Sequence, residues 1–517
     1  MICLPIVFGI DVKDDFPIFF GSFYKFIYYC NKYKWPIVAQ EEYFLNPEIY
    51  KETHGINLCQ VSAINEIEQI NENLFNGIDK YIIKKNETEN VTSEFGSKDS
   101  AWINLMNCSS KKLNIIIEKF LEKIIKKYKK IDAIIIWRHN KTIEELARKY
   151  NIKIIEMELS AIRKPDYKFG LSYFQFSNKY SEKELNIRYD KFKKQTKNID
   201  LPILSRKDIL SLLGTKENIS NLNEEEYDIG IGLGLQKDYE TLSTESPTNE
   251  EILKNIINIE DYENILIRKH PANYNYKYEN EEKFDLDKSE TSLQFVSRCH
   301  KIVSSVSNIN LEAMILGKTT YTLGKMPFKI FSYNDLKYND EFVINLKDLN
   351  FLIFCYFVPY DLALTEEYIS FRLKNPTELD IYNMHFKYLT NKYNKEKLAK
   401  KSIREKNTDN KRIKKENNSL KEINKDLMKN NEDLIKENKK IIKDYEQEIE
   451  KNENDLKNEI KKIEKDNKQE IKNLNNIYLE LEYKYKELIN SPLYKIYKAL
   501  KKGEKKYEKF IKNNKRK

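Results

Sequence analysis

The chain has 517 residues, of which 33% are charged and 12% are aromatic, and its formal net charge is +9. This length predicts two or three domains with enough apolar material for hydrophobic cores. Residues 491–517 carry 11 Lys or Arg and 2 Glu, which alone makes +9, so the rest of the chain is close to neutral. A neutral body with a basic tail argues against a general nucleic-acid-binding protein.

The cysteines, histidines and apolar runs exclude other classes of protein. The 6 cysteines form no CxxC pair, and the 5 histidines show no zinc-ligand spacing. Reduced thiols in a cytoplasmic protein that binds no metal are the simplest interpretation. No apolar run approaches the ~18 residues of a membrane-spanning helix. Residues 1–10 lack the basic start of a signal peptide and are interpreted as a first strand.

Residues 1–215 form the first predicted domain, in which short apolar runs alternate with helical patterns. Strands are predicted at 2–10, 36–39, 131–137 and 152–157. Helices are predicted at 23–34, 64–76, 111–130 and 142–150. The polar stretch 87–100 is predicted to be a loop, and 201–223 to be the interdomain linker. This alternation indicates a doubly wound parallel sheet.

Two strand ends in this domain carry candidate chemistry. His139 follows the strand at 131–137, and Glu158 follows the strand at 152–157. Ligands of open α/β sheets bind beyond the carboxyl ends of the strands. A single histidine is more often a loop residue than a catalytic one, so Glu158 is the better candidate.

Residues 216–395 form the second predicted domain. Its first strand, at 228–235, is followed by Gln236, Asp238 and Glu240. A carboxylate at this strand end suits a nucleophile or a base, although both acids are equally typical of a solvated loop. The residues leave open which of the two has a role.

Three more strands of this domain, at 265–267, 301–303 and 320–323, enclose a helix at 310–317 that ends at a glycine. Polar residues follow the first two of these strands: Arg268, Lys269, His270, Ser304, Ser305, Ser307 and, in the helix, Glu312. Hydroxyls and backbone N–H groups ahead of a helix favour an anion such as a nucleotide phosphate. Glu312 suits two ribose hydroxyls. Alternatively, Glu312 only complements the helix dipole and His270 only caps a strand.

The chain continues with a predicted strand at 341–344 and helices at 350–362, 365–373 and 377–393. From residue 396 to 490 the composition changes, and a seven-residue repeat predicts a coiled coil. The repeat comprises Leu420, Leu427, Leu434 and Ile441, with Asn417, Asn424, Asn431 and Asn438 in the complementary register. Residues 491–517 then predict a basic amphipathic helix that suits an anionic membrane surface.

The segment Arg268-Lys269-His270-Pro271, followed by SSVSNINLEAMILGKTTYTLG over 304–324, resembles the donor half of GT-B glycosyltransferases that use CMP-sugars. The similarity is closest to the bacterial Kdo transferases of capsule and lipopolysaccharide assembly. Kdo is an eight-carbon acidic sugar. Glu158 with Arg163 and Pro165 also resembles a segment of the family's acceptor domain. The family's usual aspartate–glycine–asparagine stretch is absent here.

The resemblance implies an α/β fold of two facing Rossmann-like domains, with the acceptor in the first and the donor in the second. Gln236, Glu240 and Thr241 match a family segment in which the middle position is usually aspartate. The resemblance also implies a retaining reaction with Glu240 or Asp238 as nucleophile and Glu158 as base.

Several expectations follow from the resemblance and the tail together. The donor is CMP-Kdo or a related CMP-sugar, the acceptor is a glycan or glycolipid, and no cofactor or nucleic acid is needed. The chain is expected to be a cytoplasmic homo-oligomer, held through the coiled coil near the inner face of the membrane. Two alternatives are a CDP-glycerol-type glycerophosphotransferase and a non-catalytic coiled-coil scaffold.

Overall fold

A computed structural model describes most of residues 1–397, with gaps at 10–11, 50–57, 68–69, 178–180, 218–221, 223–224, 236–238, 260–263, 272–273, 339 and 396. The chain divides into two compact units, Met1–Asn394 and Lys395–Lys517. Beyond residue 397, the structure describes six isolated positions, all helical: 451, 453, 456, 457, 459 and 484. Apart from residue 397 and these six positions, the predicted coiled coil and the basic tail lie outside the described residues.

The first unit contains a seven-stranded sheet in the order β12-β6-β5-β4-β1-β2-β3. Its strands are β1 Cys3–Val7, β2 Ile37–Gln40, β3 Lys80–Ile83, β4 Ala133–Ile136, β5 Lys153–Leu159, β6 Leu171–Gln175 and β12 Val358–Pro359. The five strands from β3 to β5 are parallel, whereas β6 and β12 are antiparallel to their neighbours. Strands β1, β2 and β4 are wholly buried, as expected for apolar strands that helices cover on both faces.

The helices around this sheet are Val12–Tyr33, Leu58–Asn65, Lys85–Glu94, Lys98–Asn107, Lys111–Tyr128, Lys141–Lys149, Glu182–Gln195 and Arg206–Leu213. The prediction of a loop at 87–100 is wrong, because two of these helices occupy that stretch. Ser97 caps the second of them by accepting a hydrogen bond from the Ser100 backbone. Helix formation there buries Val91, Trp102 and Leu105 against the core.

A second sheet has five parallel strands in the order β11-β10-β7-β8-β9. Its strands are β7 Tyr227–Gly232, β8 Ile265–Arg268, β9 Asp285–Leu286, β10 Cys299–Ser304 and β11 Thr319–Thr322. The strand order reverses between β7 and β10, which is the switch point where open sheets bind ligands. A Cβ atom at Gly232 would lie 2.8 Å from the Ile309 side chain, so a glycine lets the next helix pack closely on β7.

The remaining helices, in chain order, are Tyr239–Ser243, Asn249–Ile257, Ser292–Ser297, Ile309–Leu316, Leu346–Phe351, Tyr360–Ala363, Glu366–Leu373 and a last helix over residues 378–395. The predicted strand at 341–344 is wrong, since that stretch has no regular structure. The predicted helix at 350–362 is also wrong as a single element. A π-helical turn, Leu352–Tyr356, leads into β12, which crosses back to pair with β6.

The α/β fold with parallel sheets that the sequence predicts is confirmed. Within the unit Met1–Asn394, one hydrophobic core contains residues from the two parts that are built around the first and the second sheet. These residues include Leu171, Phe192, Leu311, Met314 and Phe354. The last helix returns to the first part, where Glu378 pairs with Arg188 at 3.0 Å. No helix in the described ranges is long and apolar enough to cross a membrane.

We expect Glu378→Gln to lower the free energy of unfolding by about 3–5 kcal/mol, because the substitution leaves the buried Arg188 guanidinium without its carboxylate. Burial raises the pKa of the Glu378 carboxyl, but the charge and hydrogen bonds of Arg188 act in the opposite direction, and the net pKa is lowered. The pair therefore stabilises the fold above the ordinary carboxyl pKa and loses this effect as the pH falls through the lowered value. Thermal melting at pH 7 measures the change.

Asp190→Asn is the matched control, because Asp190 pairs with Lys193 at the surface. Exposed pairs contribute little, so the melting temperature should stay unchanged. Equal melting temperatures for both variants would contradict the assigned role of the buried pair.

Candidate functional site

The candidate site lies where the carboxyl ends of β7 and β10 meet the segment that joins β5 and β6. Two buried tyrosines of this segment and of β6 contact the helix Ile309–Leu316 at its first turn. The hydroxyl of Tyr167 donates to Glu312 Oε1 over 2.8 Å. The hydroxyl of Tyr173 donates to Asn308 Oδ1 over 2.5 Å. The two parts of the first unit thus meet at the helix that the sequence assigns to the nucleotide.

Glu312 is the most strongly perturbed acid of this group. Its side chain is buried, and burial raises the pKa of its carboxyl from 4.5 to about 7. The hydroxyls of Ser292 and Tyr167 and the charge of Arg163 act in the opposite direction, while Asp166 adds to the rise. Within the described ranges, the bond from Tyr167 to Oε1 is the one that has standard hydrogen-bond geometry. Among the described residues, the buried Oε2 has no hydrogen-bond partner of that geometry, so a further hydroxyl donor at this position would be favourable.

Arg163 lies between β5 and β6 and His270 follows β8, and the charge of Arg163 acts on the His270 imidazole. Arg163 keeps an accessible surface, yet protein surrounds it closely enough for desolvation to lower the pKa of its guanidinium, against the attraction of Glu312. Burial, and then the charge of Arg163, lower the pKa of the His270 imidazole below 6.5. His270 is therefore neutral at pH 7, and Arg163 supplies positive charge here.

The serine turn between β10 and the helix places hydroxyls beside this group. Ser304 is the last residue of β10 and is fully buried. Ser307 Oγ accepts from the Ile309 backbone over 3.3 Å. Ser305 Oγ is buried and, within the described part of the chain, has no hydrogen-bond partner. A buried hydroxyl without a partner next to a helix start favours an oxygen-rich ligand.

Arg268 and Lys269 differ from the sequence interpretation, which expected them to add charge to a phosphate site. Arg268 forms an ion pair with the buried carboxylate of Asp287 and also donates to the Ser289 carbonyl over 3.0 Å. Lys269 pairs with Glu281 at 2.7 Å, and its side chain is only 8% exposed. Both cations are neutralised by carboxylates that flank β9, Glu281 before this strand and Asp287 directly after it.

Glu158 and His139 lie at the carboxyl edge of the first sheet. Glu158 is inside β5 rather than after it, because pairing with β6 extends this strand to Leu159. His139 Nδ1 lies 3.1 Å from Glu156 Oε2, and both side chains are buried. Glu156 and Glu158 alternate by two along β5 and therefore share a face of the sheet. Glu158 thus points to the same face as the Glu156–His139 pair.

The three predicted residues after β7 cannot be placed as a group. Gln236 and Asp238 lie outside the described residues. Glu240 is the second residue of the helix Tyr239–Ser243, and its side chain also lies outside the description. The choice between Asp238 and Glu240 as nucleophile stays a prediction.

A cavity of about 590 Å³ opens beyond the carboxyl end of β8. Its lining residues are Ile267, Arg268, Lys269, Pro271, Tyr274, Leu286, Asp287, Lys288 and Ser289. This space lies toward the edge of the second sheet, because β8 and β9 are the last two strands on that side. Across the described ranges, no group of three or more His, Cys, Asp or Glu side chains could hold a metal ion.

The sequence interpretation missed Tyr167, Tyr173, Asn308 and Glu156. Tyr167 and Asn308 stand inside segments that the resemblance had already selected, but nothing in the sequence pairs them with residues 145 or 135 positions away. Tyr173 belongs to β6, which the sequence did not predict. Alternation along β5 was the one signal that could have revealed Glu156, since it lies two residues before Glu158.

The two parallel α/β sheets and the strand-end site have the arrangement that the resemblance to GT-B glycosyltransferases implies. Residues 11–184 match the model described as the glycosyltransferase 99 family N-terminal domain. This stretch of the chain is similar to that domain, and the predicted resemblance to GT-B Kdo transferases is confirmed. The match covers strands β2 to β6 and includes Glu158 and Arg163.

Solved structures similar to the chain include KpsC of Thermosulfurimonas dismutans in two forms. The β-Kdo 2,7 transferase shares 18% identity over 47% of this chain and 82% of that one, with a TM-score of 0.33. The β-Kdo 2,4 transferase shares 11% identity over 58% and 84%, with a TM-score of 0.30. The glycosyltransferase SnogD from Streptomyces nogalater shares 8% identity over 63% and 81%, with a TM-score of 0.24. No curated protein sequence matches the chain significantly.

We expect Glu312→Gln to raise the melting temperature above pH 7 and to have little effect near pH 5. The carboxyl ionises at a higher pH in the folded chain than in the unfolded chain, so wild-type stability falls as the pH rises from 4.5 to about 7. A shift of this size corresponds to about 3 kcal/mol at most. Thermal melting without ligand, between pH 5 and 8, measures the difference.

Glu378→Gln serves as the control of opposite sign, because the pKa of the Glu378 carboxyl is lowered rather than raised. Its stability loss should persist at pH 5 and pH 8 alike. A Glu312→Gln variant that melts below wild type at pH 8 would show that the ionised carboxylate stabilises the fold, contrary to this expectation.

Proposed function

We propose that the chain transfers an acidic sugar, Kdo or a close relative, from its CMP donor to a surface polysaccharide acceptor, with retention at the anomeric carbon. The observation that carries this proposal is the group formed by the serine turn, Glu312, Arg163 and His270. It combines hydroxyls at a helix start, a carboxylate oxygen without a partner of standard geometry and a cation held across the cleft. These are the groups that a nucleotide monophosphate needs.

In this proposal each part of the donor has a partner of suitable chemistry. The phosphate lies at the N-terminus of the helix Ile309–Leu316, where backbone N–H groups and the hydroxyls of Ser304, Ser305 and Ser307 donate to it. Glu312 Oε2 accepts from a ribose hydroxyl, while Oε1 stays bonded to Tyr167.

The positive charge for the phosphate comes from Arg163, because Arg268 and Lys269 are neutralised by their own carboxylates. Neutral His270 donates one hydrogen bond rather than a full charge. No divalent metal is required in this arrangement, since the guanidinium and the helix N-terminus balance the leaving phosphate.

The chemical step follows a double displacement. The carboxylate of Glu240 or Asp238 attacks the anomeric carbon, and the bond from that carbon to the phosphate oxygen breaks, so CMP leaves with the bonding electron pair. An acceptor hydroxyl then attacks the same carbon and releases the carboxylate. Glu158 takes the hydroxyl proton as general base. Two inversions give overall retention.

In this proposal the acceptor binds at the carboxyl edge of the first sheet, where Glu158 shares a face with the Glu156–His139 pair. In this arrangement, His139 is fixed by Glu156 and contributes to a polar floor rather than a proton-transfer step. The predicted coiled coil and basic tail would hold several copies of the site near a membrane on which lipid-linked glycans are extended. Those two features rest on the sequence alone.

We expect Arg163→Ala to weaken CMP binding by about tenfold or more, because one charge-assisted hydrogen bond is worth about 1.5–3 kcal/mol. His270→Ala should weaken binding less, since a neutral imidazole supplies a smaller interaction. Arg148→Ala is the charge-matched control, because Arg148 is 70% exposed and bonds to Glu144 on a helix of the first sheet. Isothermal titration of the full chain with CMP measures the three affinities.

Arg163→Ala with wild-type CMP affinity would contradict the assignment of the phosphate charge. Wild-type protein that binds no CMP would contradict the donor itself. Product analysis after incubation with donor and acceptor distinguishes released CMP from transferred glycerol phosphate, which a glycerophosphotransferase would yield.

We expect a sugar adduct on Glu240, or otherwise on Asp238, when the full chain meets CMP-Kdo without acceptor. The covalent ester should appear in intact-mass spectra and map by peptide digestion to this segment. Glu158→Gln should slow acceptor turnover by about 10²-fold or more while leaving adduct formation near its wild-type rate. Full activity in the double variant Asp238→Ala, Glu240→Ala would rule out this nucleophile.

A further inference from the structure

The two tyrosine contacts on the helix Ile309–Leu316 lead beyond the residues assigned so far. Asn308 and Glu312 are four positions apart, so they lie one above the other on the same face of that helix. Each accepts a hydrogen bond from a tyrosine hydroxyl of the first sheet's side, over 2.5 Å from Tyr173 and 2.8 Å from Tyr167. Both tyrosine side chains are 1% exposed.

Tyr173 also has a fixed relation to Glu158. The register of the antiparallel pair places Tyr173 of β6 directly opposite Glu158 of β5. Side chains of directly opposed residues lie on the same face, with Cβ atoms about 4.5–5.5 Å apart. One end of Tyr173 is thus fixed next to the proposed base, and its hydroxyl contacts the residue that begins the donor helix.

Apolar packing holds this arrangement in place. Leu171, between the two tyrosines, belongs to the same hydrophobic core as Leu311, Met314 and Ile315 of the helix. The bond from Tyr167 is buried, and the bond from Tyr173 to the half-buried Asn308 is partly buried. A hydrogen bond shielded from water in this way also fixes geometry strongly. Aliphatic packing sets the approximate distance between sheet and helix, and the two hydroxyls set the rotation and position of the helix's first turn.

We propose that Tyr173 and Tyr167 are positioning residues of the transfer reaction, which fix the phosphate end of the donor helix relative to the acceptor base. This inference rests on the proposed function. Tyr173 sets the separation of Glu158 from the anomeric carbon through Asn308. Tyr167 orients Glu312 so that Oε2 faces the ribose. Neither hydroxyl needs to touch a substrate.

The two residues should have different kinetic signatures. Tyr173→Phe should lower kcat by about 10- to 100-fold, because a shift of about 1 Å in reacting groups costs up to about 10²-fold. Its KM for donor and its CMP affinity should stay within about twofold of wild type. Tyr167→Phe should instead weaken CMP affinity by about 5- to 10-fold, because one hydrogen bond that orients Glu312 is lost.

Tyr189→Phe is the matched control. Its hydroxyl donates to Asp348 Oδ1 over 2.6 Å and borders the same core, but on a helix that carries no proposed site residue. This variant should lose a similar amount of thermal stability and keep kcat, KM and CMP affinity. A general loosening of the core would affect all three variants in proportion to their melting temperatures, whereas a positioning role would not.

A double-mutant cycle tests the Tyr173–Asn308 contact itself. Asn308→Ala should reproduce the loss of kcat in Tyr173→Phe, and the double variant should lose no more than either single variant. Additive losses, or a Tyr173→Phe variant with the kinetics of Tyr189→Phe, would overturn the inference while leaving the proposed function intact. Wild-type protein that neither binds CMP nor transfers sugar would overturn both.

Discussion

The hydrogen bond from Tyr167 to Glu312 is the interaction on which the candidate site depends. A carboxyl buried this deeply resists ionisation, and desolvation raises its pKa to about 7. The Tyr167 hydroxyl, which comes from the first sheet's side, partly offsets this desolvation of the carboxyl. The acid can therefore be buried here because the two parts of the unit meet at this helix. The contact therefore stabilises the buried acid and also fixes the geometry of the site.

The distribution of charge around the helix start follows from the same meeting of the two parts. The cations nearest in sequence, Arg268 and Lys269, are held by Asp287 and Glu281 and stabilise the loops beyond β8. Arg163, which precedes Tyr167 by four residues, is instead brought to Glu312 and His270 from the side of the first sheet. The segment between β5 and β6 thus supplies both the hydroxyl that holds Glu312 and the charge that suits a phosphate.

How much of this was predictable depends on the range of each interaction. Strands β4, β5, β8, β10 and the helix after β10 follow from local apolar runs and a terminal glycine, so the sequence predicted them. Strand β6 was missed because Leu171–Gln175 mixes polar and aromatic residues, and β12 because it has only two residues, one of them Pro359. The stretch 87–100 was misinterpreted as a loop because most of its residues are polar. Its few apolar residues face the core at helical spacing, and they are too few to reveal the helices.

The same limit applies to the candidate site. Its strand-end positions could be predicted, since the carboxyl ends of parallel strands share one edge. The ion pairs that neutralise Arg268 and Lys269 could not, because they depend on how the loops beyond β8 and β9 fold back. Nor could the tyrosine contacts, which join residues 145 and 135 positions apart. Spacing within a sequence carries no information about such pairs.

The shared core also restricts how substrates reach the site. An opening of the two sheets as rigid bodies would expose Leu171, Leu311 and Met314 together with the buried pair Tyr167–Glu312. Apolar surface costs about 25 cal/mol per Å² when it is exposed, and a buried carboxyl would lose its hydroxyl partner at the same time. The return of the chain through β12, which pairs with β6, opposes the same motion. A ligand that approaches past the carboxyl ends of the strands would leave both the shared core and the tyrosine contacts intact.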